Sequence, residues 1–392
     1  MVKHNYFYGA SGNSAIYFRN NGLYLFNVAN GTVFDNTVSN NDGNGIYLDE
    51  TKNKYIISEN IVQSHPYYGI YLRDTDPTNI VNNVVEDNAR GISILRCHES
   101  LISDNTATGN THGIHIASSD NSIVKGNVVS SSTNTGIRLL VSSGITVYHN
   151  SIIGNAVQAY DSGSSNWNAP YPYGGNYWDD YDGKDRGDGI GDIPHEHIMG
   201  GTNRDNYPWV RENGWIPVTM ELNLNADVNA GGWNFVSFNL IPTDSSLESI
   251  LEDPEYGISG NYDRVMFYNA SSGTWSSYVP GRADHFNNLD NWDHTMGIWI
   301  RMTTDDTLTI QGYMPTRTRI TIYPGWNMVG LPSTIYGNHG LPEEVSRIGY
   351  YDPLEEYNIA YDYDPTNFVF NPGNGYWLFN CKEHEAYWKI EY

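Results

Sequence analysis

His195, His197 and Met199 alternate along the stretch HEHIM. Alternate residues of a strand share a face, so the three would present two imidazoles and a thioether together. That donor set suits copper, and the competing reading is a solvated surface strand. Just upstream, GNYWDDYDGKDRGDGIGD runs from Gly175 to Asp192 and holds six aspartates and five glycines in 18 residues. Asp182, Asp185, Asp188 and Asp192, with the intervening glycines, offer the close-set oxygens and sharp turns that calcium requires. The EF-hand spacing is not met, because no Glu follows at the closing position; a metal-free Asp/Gly turn is the alternative. A third set, Arg73, Asp74, Asp76, Arg96, His98, Glu99, His115 and Arg138, is more dispersed. These residue types could serve acid–base work if the fold brings them to one face. His112 and His115 in THGIHI form a weaker metal pair.

What could bring such groups together is an internal repeat. A glycine-led unit recurs as GLYL at Gly22, GIYL at Gly45, GIYL at Gly69, GISI at Gly91, GIHI at Gly113 and GIRL at Gly136. Between these units an asparagine recurs at Asn36, Asn60, Asn83, Asn105, Asn127 and Asn150. Two short alternating strands per roughly 22 residues, with no helical period, predict a solenoid with one coil per repeat. Propeller blades need longer units, and leucine-rich repeats need a helix. A parallel β-helix remains, with coils about 4.8 Å apart. The periodic asparagines would then stack at an inward turn, each amide bonding its neighbours above and below.

The GIYL and asparagine coils, over roughly residues 12–160, resemble right-handed parallel β-helix proteins of the NosD-like, carbohydrate-binding and sugar-hydrolase type. The sequence GGNYWDDYDG…GDGIGD…DNYPWV looks like the tail that closes the β-helix in many secreted archaeal members. Family tails often read DxDGDGIGD, whereas DRGDGIGD is one residue shorter. The resemblance implies the fold more than the activity, since the group includes copper-handling proteins, polysaccharide lyases, epimerases and surface proteins. In members that cleave or epimerise uronic polymers, the acid–base groups lie on an outward face of the coils.

Alternation in GIYLD sends Ile46 and Leu48 inward and Tyr47 and Asp49 outward. Stacking the coils makes an outward column of Tyr24, Tyr47, Tyr71, Ser93, His115 and Arg138. The next column holds Phe26, Asp49, Arg73, Leu95, Ala117 and Leu140. Tyr24, Tyr47 and Tyr71 form an aromatic stripe suited to sugar contact or to covering the sheet. The catalytic candidates are Arg73, Asp74, His98, His115 and Arg138. A lyase would also want a dense acidic cluster, which this face lacks.

Beyond DNYPWV the pattern changes. GGWNFVSFNLIP at Gly231 is matched by PGWNMVGLPS at Pro324, and TMGIWIRM by GNGYWLFN. These pairs predict two copies of an antiparallel β-module forming a pseudo-twofold sandwich or barrel. Trp233, Trp299, Trp326 and Trp377 hold equivalent places and read as core. Trp275, Trp292 and Tyr357 fall in turn-rich stretches and read as sugar-stacking rings. The expected fold is all-β: β-helix over residues 1–165, capping segment 166–217, module copies 218–314 and 315–392.

Composition narrows the partners. Lys+Arg 21 against Asp+Glu 45 gives a net charge of −24, which argues against nucleic acid and anionic membranes. The 31 Tyr and 11 Trp exceed what a core usually needs. Two cysteines, Cys97 and Cys381, exclude a disulfide framework. No apolar run is long enough to span a bilayer. The start MVKHNYFYGA lacks a signal-peptide core, so the chain reads as a mature form or an excised fragment. The expected function is a secreted or cell-surface, calcium-capped β-helix protein for carbohydrate binding, adhesion or envelope or filament structure, with a glycan, a cell-envelope component or further copies of the chain as partners. The alternatives are an enzyme acting on an acidic glycan along the β-helix face and a copper-binding protein using His195, His197 and Met199.

Overall fold

The computed structural model describes residues 6–7, 15–17, 20–227, 231–337, 339–352 and 359–391. It comprises two compact units, one of Met1–Asp185 with Ile190–Trp215, the other of Arg186–Gly189 with Ile216–Tyr392. Tyr357 lies outside the described residues.

The first unit is a parallel β-helix. Each coil gives one strand to each of three sheets, of eight, seven and nine strands, and successive coils pair in parallel register. The coil core comes from the alternation in the repeat. Ile46, Ile70, Ile92, Ile114 and Ile137 stack in one inward column and Leu48, Leu72, Ile94, Ile116 and Leu139 in the next, all without solvent exposure. The repeat glycine is required by a close approach. A Cβ on Gly69 would lie 2.4 Å from Val85 Cγ1 and 2.8 Å from the Gly91 carbonyl oxygen.

The asparagines turn one corner of every coil. The residue before each is left-handed, for example Glu59 at φ 57° and Asn82 at φ 57°. Each Asn Oδ1 accepts both the backbone N–H and the side-chain amide of the asparagine one coil earlier. Asn105 donates to Asn127 Oδ1 at 3.0 and 2.9 Å, and Asn127 donates to Asn150 Oδ1 at 3.0 and 2.8 Å. The expected ladder of six is continued by a seventh, Asn176, which sequence spacing missed because this last coil is longer. Asn176 has no further asparagine to donate to. Its N–H goes instead to Asp205 Oδ2 at 2.7 Å, so an acceptor-only carboxylate closes a ladder whose last rung needs only an acceptor. Trp167, Trp178 and Ile198 complete the core at this end. Cys97 occupies a second, Ser-based ladder, its N–H bonded to Ser119 Oγ at 3.0 Å, and burial pushes its thiol up to about 12.

The second unit holds two antiparallel modules of matching topology. In one, the strands Trp233–Val236, Ile298–Met302, Tyr262–Asn269 and Thr274–Tyr278 lie side by side in that order. In the other, Gly325–Gly330, Gly375–Asn380, Val345–Tyr351 and Ile359–Asp362 repeat the same arrangement. Each copy has its own buried core. The helical turn expected in SSLESILED is present as Leu247–Leu251, capped by Ser246, whereas GLPEEVSRI leads into a strand.

Candidate functional site

The outward face of the nine-stranded sheet follows the expected columns. Tyr24, Tyr47, Tyr71, Ser93, His115 and Arg138 are paired rung to rung, and the column continues into Tyr160 and Met199. In its first half the rings stack on one another. Tyr24 lies on Tyr47 at 4.6 Å and 10°, Tyr47 on Tyr71 at 4.8 Å and 18°, and Tyr68 on Tyr71 at 4.2 Å and 12°. Rings stacked this way spend their faces on one another, so the stripe covers the sheet and offers a sugar only ring edges. Asp49 sits beneath the stack and accepts the Tyr24 hydroxyl at 3.1 Å. Burial, followed by this carboxylate, pushes the Tyr24 hydroxyl up to about 12.

Most of the charged candidates are paired off locally. Arg73 donates to both Asp49 oxygens at 2.7 and 2.6 Å. Arg96 forks onto Asp74 at 2.6 and 2.6 Å, which holds that carboxyl below its usual range. His98 Nδ1 accepts the Asp120 backbone N–H at 3.1 Å, and Asp76 accepts the His98 backbone N–H.

The second half of the face is different. Arg90, His112 and Thr135 form a column beside Ser93, His115 and Arg138. Arg90 donates to the Tyr68 hydroxyl at 2.7 Å and lies 5.1 Å from that ring, while Arg138 lies 5.6 Å from the Tyr160 ring. Neither guanidinium has a carboxylate partner among the described residues. Between them Ser93 Oγ meets His115 Nδ1 at 3.2 Å, and the His112 and His115 rings are 6.1 Å apart. Burial, then Arg138 and Arg90, pulls the His112 imidazole down to about 4. Burial, then the same two guanidiniums and His112, pulls His115 down to about 3. Both rings are therefore neutral at pH 7. The buried Arg90 Nε, His112 Nδ1 and His115 Nε2 have no hydrogen-bond partner. Sequence reasoning named His115 and Arg138 but set His112 aside and missed Arg90. The available signal was register, since Tyr68, Arg90 and His112 recur every 22 residues.

At the end of the β-helix, His195 Nε2 lies 3.0 Å from Asp180 Oδ1 and His197 Nδ1 lies 3.5 Å from Asp180 Oδ2. Donor atoms of the three fall within 4.8 Å of one another. A two-way backbone bridge to Asp205 fixes His195, and the Trp178 ring stacks on it at 4.2 Å and 11°. Burial lowers the His195 pKa against the pull of Asp180, keeping the imidazole in the form that binds metal. Met199 pairs with Tyr160 on the face sheet and is 55% exposed, and His195 is buried while His197 is exposed, so the alternation expected in HEHIM is not kept. Two imidazoles and a carboxylate fit Cu(II) or Zn(II). When bound, such an ion would supply a Lewis-acidic or ligand-carrying centre held by Asp180, His195 and His197.

Asp182, Asp185, Asp188 and Asp192 do not form a converging group of three carboxylates among the described residues. Their loop is closed by backbone contacts, an Asp185–Gly191 bridge and the Asp192 N–H to Lys184 oxygen at 2.8 Å. The carboxylate that organises this end is Asp205, which also accepts from Trp178 Nε1 at 2.9 Å and the Tyr207 N–H at 3.0 Å. Burial pushes it up to about 7 against the pull of these donors.

Among the expected sugar-stacking tryptophans, Trp292 is corrected. It is 0% exposed, packs on Phe238, and donates its indole N–H to the Met296 oxygen at 3.0 Å. Trp275 is 47% exposed.

Residues 12–183 match a family model described as "Periplasmic copper-binding protein (NosD)". This segment is a NosD-like parallel β-helix. No curated protein matches the chain. Among solved structures, the Dettilon tailspike protein (gp208) matches at 11% identity, covering 91% of this chain and 72% of that one. Its TM-score is 0.29. Among the described residues no helix is long and apolar enough to cross a membrane.

Proposed function

We propose that the NosD-like β-helix binds a carboxylated glycan on its nine-stranded face, at the patch formed by Arg90, His112, His115 and Arg138. One observation carries this reading. In a protein of net charge −24, two stacked guanidiniums without carboxylate partners flank two neutral imidazoles with unpartnered nitrogens. Guanidinium forks match carboxylates in geometry and charge, and the rings of Tyr68 and Tyr160 pre-order them. The reading is binding and not cleavage. A base that removes a C5 proton works best near the operating pH, and His115 at about 3 is far too weak. A soluble, extracytoplasmic setting agrees with the periplasmic description of the matching family.

The test is calorimetric titration with oligogalacturonate. Arg90→Ala and Arg138→Ala should each weaken binding about tenfold or more, as expected for a lost charge-assisted hydrogen bond. Arg96→Ala, which removes a guanidinium already paired with Asp74, should not. Equal affinity in all three variants and the parent would refute the reading.

The triad of Asp180, His195 and His197 supports a second reading, metal binding at the capped end, in line with the copper-binding description of the family. Metal-free protein should take up one equivalent of Cu(II) or Zn(II). His197→Ala should abolish uptake without unfolding the protein, because His197 is exposed. Uptake that survives this change would exclude the triad.

A further inference from the structure

We propose that the aromatic cleft of the second unit is a separate binding site for a neutral glycan, one that takes pyranose rings between indole faces. The cleft has a volume of about 450 Å³, within the range of small-ligand sites. Both module copies build it: Tyr268, Trp275 and Trp299 come from the first, and Trp326, Tyr361 and Trp377 from the second.

The duplication makes Trp299 and Trp377 equivalent, each on the second strand of its four-stranded sheet. Such positions read as core, yet the core tryptophans of the two copies are Trp292 and Trp388, which are fully buried. Trp299, Trp326 and Trp377 are only half-buried.

The cleft rings meet one another tilted or edge-on and not in parallel stacks. Trp275 meets Trp377 at 5.8 Å and 66°, and Trp326 meets it at 6.4 Å and 89°. These are edge-to-face contacts, unlike the parallel stack of Tyr24, Tyr47 and Tyr71, in which faces are consumed. Phe235 lies flat against Trp299 at 4.6 Å and 9°, and Trp233 and Tyr351 meet that ring edge-on, which fixes it at the wall of the cleft.

Hydrogen bonding separates the cleft from the core more sharply. Every fully buried indole donates its N–H to a protein acceptor. Trp167 donates to Asp161, Trp178 to Asp205, Trp292 to the Met296 oxygen and Trp388 to the His339 oxygen. None of Trp275, Trp299, Trp326 and Trp377 has a protein acceptor among the described residues, and neither does the Tyr268 or Tyr361 hydroxyl. The cleft therefore combines apolar ring faces with unclaimed donors, and no charged side chain lines it.

That combination selects the ligand. A quaternary ammonium would satisfy the ring faces but offers no acceptor to the N–H groups. An anion would find no cation. A neutral pyranose presents an apolar C–H face to an indole and hydroxyl oxygens at its rim to the N–H and O–H donors.

The 392-residue chain is titrated at high salt, which screens contacts to the charged β-helix patch. Probes are neutral hexasaccharides of glucose, mannose and N-acetylglucosamine, and the readouts are tryptophan emission and heat. At least one should bind saturably and shift the emission to the blue. Trp275→Ala and Trp326→Ala should each weaken that binding roughly tenfold, with the melting temperature confirming that each variant is folded. Trp377→Phe supplies a milder change should either fail to fold. The inference is overturned by no response to any of the neutral sugars, by binding that both alanine variants leave intact, or by a response to tetramethylammonium alone. Oligogalacturonate titration of the same variants reads the β-helix patch independently, so failure at one site is not mistaken for failure at the other.

Discussion

His112 and His115 are imidazoles kept neutral by burial and by two guanidiniums, and this fixes how the patch responds to pH. Their folded pKa values lie below the unfolded value of about 6.5. The stability they contribute is therefore complete above that value and is lost as pH falls toward 4 and 3. Thermal unfolding should show the melting temperature dropping over that interval, and His115→Gln should flatten the drop. A bound carboxylate reverses the local field and favours the charged rings. Glycan binding should then take up protons near pH 5, which calorimetry in buffers of different ionisation heat detects as a buffer-dependent enthalpy. Legibility at this scale was uneven. His115 and Arg138 were visible from their column, but Arg90 was not, because its role depends on which arginines lack an acid. Arg73 and Arg96 looked equally able in sequence and are neutralised by Asp49 and Asp74.

The asparagine ladder is the element that makes the coils one body. Its spacing is plain in sequence because every rung solves the same problem, two donors and one acceptor at a buried corner. Removing a middle rung leaves groups above and below without partners. Asn105→Ala should cost about 3 kcal/mol, more than Asn36→Ala at the first rung, as read from chemical denaturation. Asp205→Ala should be at least as damaging, since it strands the N–H groups of Asn176, Trp178 and Tyr207 together. The closing acid was not legible. It departs from both the residue type and the period of the other rungs. Likewise HEHIM disclosed two imidazoles of the triad, but not that Asp180, 15 residues before His195, would join them.

Across the whole molecule, the net charge of −24 sets two salt effects of opposite sign. Screening relieves self-repulsion, so the melting temperature should rise with ionic strength, whereas affinity for oligogalacturonate should fall. The two-copy plan of the second unit was readable from paired motifs such as GGWNFV and PGWNMV. The cleft was not, because equivalent tryptophans in a duplicated module read as core until their neighbours are known. The coil-to-coil hydrogen bonds have a mechanical consequence. They run along the β-helix axis, so a pull applied along it loads them one coil at a time, like a zipper, and not all together in shear. Each released coil frees about 22 residues, or roughly 70 Å of extended chain. Under tension this segment would lengthen in steps at modest force, yielding coil by coil while the remaining coils stay folded.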